Sequence, residues 1–198
     1  MNNDYKSLNY LVVGCGGLGC YIVEGLLRLG VNKIVVSDPD TFSTSNLNRQ
    51  LYSSIDNIGK LKVEVASSRA KQLGYKGEFV AYPSLFNEKM LEGIDVVFDA
   101  LDSIKDRLIL EDICSEYNIP IIHGAVEGNA YEVGVCMPGK NMLHNIYKDI
   151  EDTDIKQTNV ITVQMCAAKQ LALITKKLEE YFESDEIIDE IIRNNIDY

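Results

Sequence analysis

Leu8-Asn-Tyr-Leu-Val-Val-Gly-Cys-Gly-Gly-Leu-Gly19 carries an apolar, partly β-branched run into four closely spaced glycines. Leu8 to Val13 has the length and side chains of a buried strand, and Gly14 ends it. Leu18 to Leu29 then places apolar residues at helical spacing until Gly30, a C-terminal stop signal. Strand, glycine turn and helix in that order fit the pattern G-x-G-x-x-G. Gly14, Gly16, Gly17 and Gly19 permit a tight turn, let main chain approach a nucleotide and leave helix N–H groups pointing at negative charge. Many nicotinamide- and flavin-dependent oxidoreductases share this pattern, so by itself it predicts nucleotide binding without choosing the chemistry.

Outward from that turn, strands and helices alternate. Lys33 to Ser37 reads as a second strand, Gly59 to Leu73 as a helix closed by Gly74, and Glu78 to Pro83 as a short third strand. Ile94 to Ala100 is nearly continuous in apolar residues, as strands buried on both faces are, and Ile104 to Tyr117 is a helix ahead of strand Pro120 to Ala125. This alternation implies right-handed crossovers and a mainly parallel sheet with helices on both faces. After Gly128 the rhythm changes. Glu132 to Met137, entered by the short turn Gly128-Asn-Ala, is expected to pair antiparallel with its predecessor. Pro138 to Asn159 reads as a long polar loop, Val160 to Leu178 as an amphipathic helix, and Ile187 to Ile192 as part of a terminal helix. The expected class is α/β, a doubly wound, mainly parallel sheet with antiparallel strands at its C-terminal side.

The chain has 198 residues, which at about 150 per domain means one domain and a small appended element. The net charge of −11 argues against duplex nucleic acid or an anionic membrane as partner. Seven of those charges lie in Glu179 to Tyr198, which holds eight acids and one base, Arg193. Such a block is either a solvated helix face or a docking element for a basic partner. The five cysteines are scattered, with no Cys-x-x-Cys pair, which argues against a disulfide framework and a four-cysteine zinc site. No apolar run approaches the roughly 20 residues of a membrane span. Met1-Asn-Asn-Asp-Tyr-Lys6 has no basic lead into an apolar stretch, so the expected location is the cytoplasm.

Beyond the glycines, Asp38 follows the second strand about 20 residues on, the place of a ribose-binding carboxylate. Asn46, Arg49 and Gln50 come shortly after it, and Gly59-Lys-Leu-Lys62 opens the next helix. Each cation alone reads as solvated surface. Two cations near one phosphate pocket suit a triphosphate, whose cleavage needs charge offset on several oxygens. Val96-Val-Phe-Asp-Ala-Leu-Asp102 brings Asp99 and Asp102 to the carboxyl edge of the sheet, where ligands of doubly wound folds bind. Asp102, farther out, is the candidate Mg²⁺ ligand beside phosphates, while Asp99 serves equally as a cap.

Gly14-Cys-Gly-Gly-Leu-Gly19, Asp38-Pro-Asp40, Ser45-Asn-Leu-Asn-Arg-Gln50, Gly59-Lys-Leu-Lys62 and Asp99-Ala-Leu-Asp102, in that order and spacing, resemble the ThiF/MoeB/HesA family, relatives of the ubiquitin-activating E1 enzymes. The resemblance covers roughly residues 8 to 178 and implies a Rossmann-like adenylation domain over 1–178, with 179–198 as an acidic helical appendage. It implies binding of ATP with Mg²⁺ and adenylation of a carboxylate, usually the C-terminal glycine of a ubiquitin-like sulfur-carrier protein, with pyrophosphate released. Asp38 would hold the ribose, Asn46, Arg49 and Lys62 would contact phosphates, Gln50 would order the pocket and Asp102 would hold the metal. Gly14, Gly16, Gly17, Gly19 and Asp40 complete the nucleotide cradle. Such proteins typically form homodimers with one nucleotide per subunit.

The sequence also departs from that family. Where relatives carry two Cys-x-x-Cys pairs, this chain reads Pro138-Gly-Lys-Asn-Met-Leu-His-Asn-Ile-Tyr147, as in zinc-free members. Relatives supply a phosphate-contacting arginine from an N-terminal helix of the neighbouring subunit, but the first arginine here is Arg28. Cys136 and Cys166 are candidates for a covalent intermediate or for plain core thiols. His123 stands where the family commonly has a small residue; it is either a satisfied strand-end histidine or a contact to an unusual substrate. Two further functions therefore stay open: adenylation of a small-molecule carboxylate in cofactor assembly, for example a pyridinol precursor of the iron-hydrogenase cofactor, and a nucleotide- or partner-binding protein without turnover.

Overall fold

The computed structural model of the protein describes residues 4–150, 158–175 and 192–195. The opening apolar run forms β1 (Asn9–Val13), and Gly17–Leu29 forms α1, ended by Gly30 in the left-handed conformation with its N–H on the carbonyls of Leu26 and Leu27. There follow β2 (Lys33–Ser37), α2 (Lys62–Gln72), β3 (Glu78–Tyr82), β4 (Val96–Asp99), α3 (Ile104–Glu116), β5 (Ile121–Glu127), β6 (Ala130–Cys136), α4 (Met142–Tyr147), α5 (Val160–Thr175) and β7 (Ile192–Asn195).

The strands form one sheet in the order β3-β2-β1-β4-β5-β6-β7. β1 runs parallel to β2 and β4, β2 to β3, and β4 to β5, whereas β5–β6 and β6–β7 are antiparallel. This is the expected doubly wound, Rossmann-like α/β class with its antiparallel C-terminal side. β1 is buried on both faces. Tyr10 and Val12 join the core under α1 and α5, and Leu11 and Val13 join a second core with Leu110 of α3 and Leu143 of α4. That two-sided burial is why the stretch reads as unbroken rather than alternating. The chain leaves β1 toward β2 on one side and returns to β4 on the other, so a crevice opens beyond the carboxyl ends of β1 and β4.

Four expectations need correction. The helix expected from Gly59 starts at Lys62, because Gly59 has φ +83 and main-chain bonds from Gly59 to Phe42 (2.8 Å) and from Lys62 to Asp40 (3.0 Å) pin this stretch beside the segment after β2. β6 begins at Ala130, since Gly128, at φ +58, closes a two-residue hairpin in which Glu127 pairs with Ala130. The expected loop 138–159 contains α4. Its first N–H groups are satisfied from another element: Glu111 of α3 accepts from Leu143 N at 2.8 Å and His144 N at 3.0 Å.

The fourth concerns the acidic end. The helix beginning at Val160 is described to Thr175, and most of the expected helical appendage 179–198 lies outside the described residues. Ile192–Asn195, however, is extended, pairing Ile192 with Val133 and Asn194 with Tyr131. The open edge of β6 offers main-chain partners that a charge count along the sequence cannot reveal. Among the described residues no helix is long and apolar enough to cross a membrane.

Candidate active site

A cleft of about 1250 Å³ occupies the crevice beyond β1 and β4. Gly14, Gly16 and Gly17 form part of its wall. Gly14 has φ +95, donates its N–H to Ser37 O at 2.8 Å, and is so close to the β4–α3 turn that an added Cβ would stand 2.6 Å from Ala100 O. Gly19 does not line the cleft; a Cβ there would fall on the Gly14 carbonyl, so its role is close packing of α1 against the end of β1. No side chain caps the N-terminus of α1. The first-turn N–H groups of that helix and its dipole therefore favour an anion at the cleft.

Asp38, at the end of β2, is nearly buried and orders the glycine loop. Its Oδ2 accepts from Cys15 N at 2.6 Å and its Oδ1 from Asp40 N at 2.8 Å. Lys62 sits at the first position of α2 with its Nζ 2.8 Å from Asp40 Oδ2 and 3.6 Å from Asp38 Oδ2. Burial disfavours the ammonium, but Asp40 and Asp38 outweigh it and hold the Lys62 pKa above its ordinary value.

The segment after β2 brings in the remaining polar groups. Asn46 does not line the cleft; its Oδ1 accepts from Ser43 N at 2.9 Å and so caps the short turn that carries Arg49. Arg49 lines the cleft, with Nη1 on Ser45 O (3.0 Å) and Asn48 Oδ1 (2.8 Å). Gln50 is 8% exposed, and its Oε1 has no hydrogen-bond partner. Asp102 is exposed at the opposite wall. Among the described residues no group of three or more His, Cys, Asp or Glu side chains is arranged to hold a metal. A divalent cation at Asp102 would thus take most of its oxygen ligands from phosphates and water, the usual habit of Mg²⁺.

A largely buried polar network, which the sequence reading missed in part, backs the cleft and reaches its wall through Arg107, Glu132 and Tyr147. Arg107 Nη1 lies 3.6 Å from Asp99 Oδ2 and donates to Gly124 O at 3.1 Å, while Nη2 donates to Leu101 O. His123 Nδ1 is 2.7 Å from Asp99 Oδ2, and its Nε2 is 3.1 Å from the Tyr147 hydroxyl, which also donates to Glu132 Oε1. Burial works against the Asp99 carboxylate, but the Arg107 charge, the His123 contact and the Leu101 N–H hold its pKa below the ordinary value. Arg107 reads in sequence as one more charge on the helix after β4. Only β4, β5 and α4 converging on its side chain reveal it.

The ThiF family model matches residues 2–194. The chain belongs to the ThiF family. It is 34% identical over 142 residues to "Adenylyltransferase and sulfurtransferase UBA4" of Meyerozyma guilliermondii, covering 66% of this chain and 34% of that protein. It is 34% identical to the "SAMP-activating enzyme E1" of Haloferax volcanii (63% of this chain, 48% of that protein). Identity is also 34% to a "tRNA threonylcarbamoyladenosine dehydratase" of Haemophilus influenzae (74% and 56%). The chain thus spans about a third to a little over half of these relatives' length. Among solved structures, E. coli MccB with ATP superposes with a TM-score of 0.75 at 24% identity, covering 98% of this chain and 65% of that one, which demonstrates a shared fold.

In this ThiF-family chain all five cysteines are buried. Cys136 and Cys166 do not line the cleft, and burial pushes the Cys166 thiol well above the ordinary range. His123 is fully buried and does not line the cleft either, which matches its reading as a satisfied strand histidine. His144, in the crossover, faces Glu111 (2.8 Å) and Asp112 (3.5 Å).

Proposed function

We propose that the protein is an ATP-dependent adenylyltransferase that activates a carboxylate as an acyl-adenylate with release of pyrophosphate. The observation that carries this reading is the convergence of Lys62, Arg49, the uncapped α1 N-terminus and, across the switch point, Asp102 on one cleft. A carboxylate oxygen of the acceptor forms a bond to the α-phosphorus while the bond from that phosphorus to the β-phosphate bridging oxygen breaks. No protein nucleophile is required, and catalysis consists of aligning two anions and offsetting their charge.

The residues divide that work. Gly14, Gly16 and Gly17 let main chain approach the phosphates, and α1 directs its N–H groups at them. Lys62 exchanges Asp40 for phosphate oxygens. Arg49, on the turn that Asn46 caps, supplies the second cation. Asp38, locked by Cys15 N and Asp40 N, keeps lone pairs for ribose hydroxyls, and the unpaired Gln50 Oε1 provides a buried acceptor at the phosphate loop. Asp102 would hold Mg²⁺, which when bound neutralises charge on the leaving phosphates.

The acceptor we assign is the C-terminal glycine of a ubiquitin-like sulfur-carrier protein. The 34% identity to proteins named for activating SAMP and for adenylyl and sulfur transfer supports it. We further read the protein as a cytoplasmic homodimer, its exposed Leu47, Leu51, Ile55 and Ile58 offering an apolar contact face. ATP–pyrophosphate exchange against a panel of carriers and small carboxylates is the test. Exchange only with a Gly-Gly-ended carrier is the expected result. Exchange only with a small acid would reassign the substrate to cofactor assembly, and tight ATP binding without any exchange would make the protein a nucleotide-dependent binding module.

A further inference from the structure

The turn that carries Asp102 out of β4 is gripped on both sides of Leu101. The Leu101 N–H donates to Asp99 Oδ1 at 3.0 Å, and the Leu101 carbonyl accepts from Arg107 Nη2. One residue earlier, Ala100 donates its N–H to Val13 O at 3.0 Å, and its carbonyl stands against Gly14. The Asp102 turn is therefore also the surface on which the glycine loop rests.

Arg107 is the hub of this arrangement. Its guanidinium reaches the main-chain carbonyls of Leu101 and Gly124 and, at 3.5 Å, the hydroxyl of Tyr147, binding together the β4–α3 turn, β5 and α4. Arg107 itself, Leu101, Tyr147 and Ala125, the neighbour of Gly124, all line the cleft. Asp99 balances the charge, and His123 in turn holds Asp99 at 2.7 Å. These carbonyls satisfy guanidinium donors that burial strips of water, and in doing so they tie three separate elements to one side chain. A planar five-donor group can hold several acceptors at fixed angles, which a lysine cannot do.

We infer that Arg107 is a positioning residue that holds the Asp102 turn, and through Ala100 the glycine loop, in the geometry phosphate transfer needs. This rests on the adenylation reading for its kinetic consequence and on the geometry alone for its structural one. Arg107→Lys keeps a charge for Asp99 but releases the fork. In the full chain, amide hydrogen exchange across Leu101 to Ser103 is expected to quicken about tenfold or more. The kcat of ATP–pyrophosphate exchange is expected to fall about 100-fold, the scale of a 1 Å misplacement, with KM for ATP within about threefold. Leu110→Ala, a fully buried position on the same helix, lowers stability without touching the turn and should leave both readouts near wild type. If Arg107→Lys does not fold, the paired variant Asp99→Asn with Arg107→Gln strands neither charge and carries the same expectation. Wild-type protection at Leu101 to Ser103, or an equal loss in Leu110→Ala, overturns the inference. If the wild-type chain catalyses no exchange with any acceptor, the adenylation reading fails, and amide exchange alone decides the role of Arg107.

Discussion

Lys62 Nζ lies 2.8 Å from Asp40 Oδ2, joining an ammonium that is nearly buried to a carboxylate that is mostly exposed. The lysine proposed to serve phosphates is thus held at the rim of the cleft by a counter-charge that an incoming polyanion must displace. Asp40→Asn removes that competitor and should tighten ATP binding by roughly two- to fivefold, the range expected of an exposed ion pair. Lys62→Met should cut pyrophosphate exchange by about 100- to 1000-fold. Calorimetric titration and exchange assays on the two variants check the opposite signs; weaker ATP binding in Asp40→Asn would reject the competition.

Asp102 is exposed and belongs to neither core. Asp102→Asn should therefore unfold within about 2 °C of wild type while losing about 100- to 1000-fold in exchange rate. Chelation of Mg²⁺ should abolish the wild-type rate, and added Mg²⁺ should restore it. A variant as fast as wild type would remove Asp102 from the metal assignment.

Gly14→Ala puts a Cβ 2.6 Å from Ala100 O at φ +95, where two backbones rather than flexible side chains must yield. We expect a loss of about 1–3 kcal/mol in urea denaturation, as for overpacked sites, together with loss of ATP binding. Gly30→Ala meets no neighbouring atom but is strained at φ +68, and should lose about 1–2 kcal/mol with ATP binding intact. Equal ATP affinities for the two variants would contradict the assigned role of the glycine loop.

Asp99 resists acid longer than an ordinary carboxylate. Its folded-state pKa lies below the unfolded value of about 3.9, so its contribution to stability is complete above that value and fades as pH falls through the folded one. Denaturation midpoints measured from pH 7 down to 3 should show this loss below about pH 4. In Asp99→Asn, stability at pH 7 should drop by about 3–5 kcal/mol, because Arg107 is left buried without its partner. The variant should also be less sensitive to acid, and an unchanged pH slope would refute the ion pair's contribution.

Thiol chemistry offers a check on the burial of the cysteines. All five are enclosed, and burial raises the Cys114 thiol to about 12. A thiol reagent at pH 8 should therefore modify the native protein slowly and at the rate of unfolding. Rapid stoichiometric labelling of Cys136 or Cys166 would reopen a covalent role.

Much of the fold was legible because its decisive signals are local. β1, the glycine turn and α1 are written in adjacent residues, and the strand–helix alternation up to Pro120 needs only periodicity and connection rules. The site was legible in its ordered motifs: Gly14, Gly16, Gly17, Asp38, Asp40, Arg49, Gln50, Lys62 and Asp102 all meet at one cleft. Asn46 and Gly19 stand behind it, one capping a turn and the other packing a helix. α4 was not legible, because its N-terminus is satisfied by Glu111, which lies more than 30 residues away. The strand at Ile192–Asn195 was not legible either, since its partner is the open edge of β6.

The sequence by itself determined the doubly wound class, the antiparallel turn of the sheet after β5, the family and most of the polar residues that line one cleft. These follow from glycines that must turn, apolar runs that must be buried, and charges whose order along the chain is preserved by connectivity. Only the tertiary structure decided which partner each polar group takes. It pairs Lys62 with Asp40, leaves Gln50 Oε1 open, buries His123 against Asp99 and makes Arg107 a clamp on Leu101. The physical reason is range: helix and strand signals act over a few residues, whereas hydrogen bonds and ion pairs in a buried site depend on which distant segments the packed sheet brings within about 3 Å of one another.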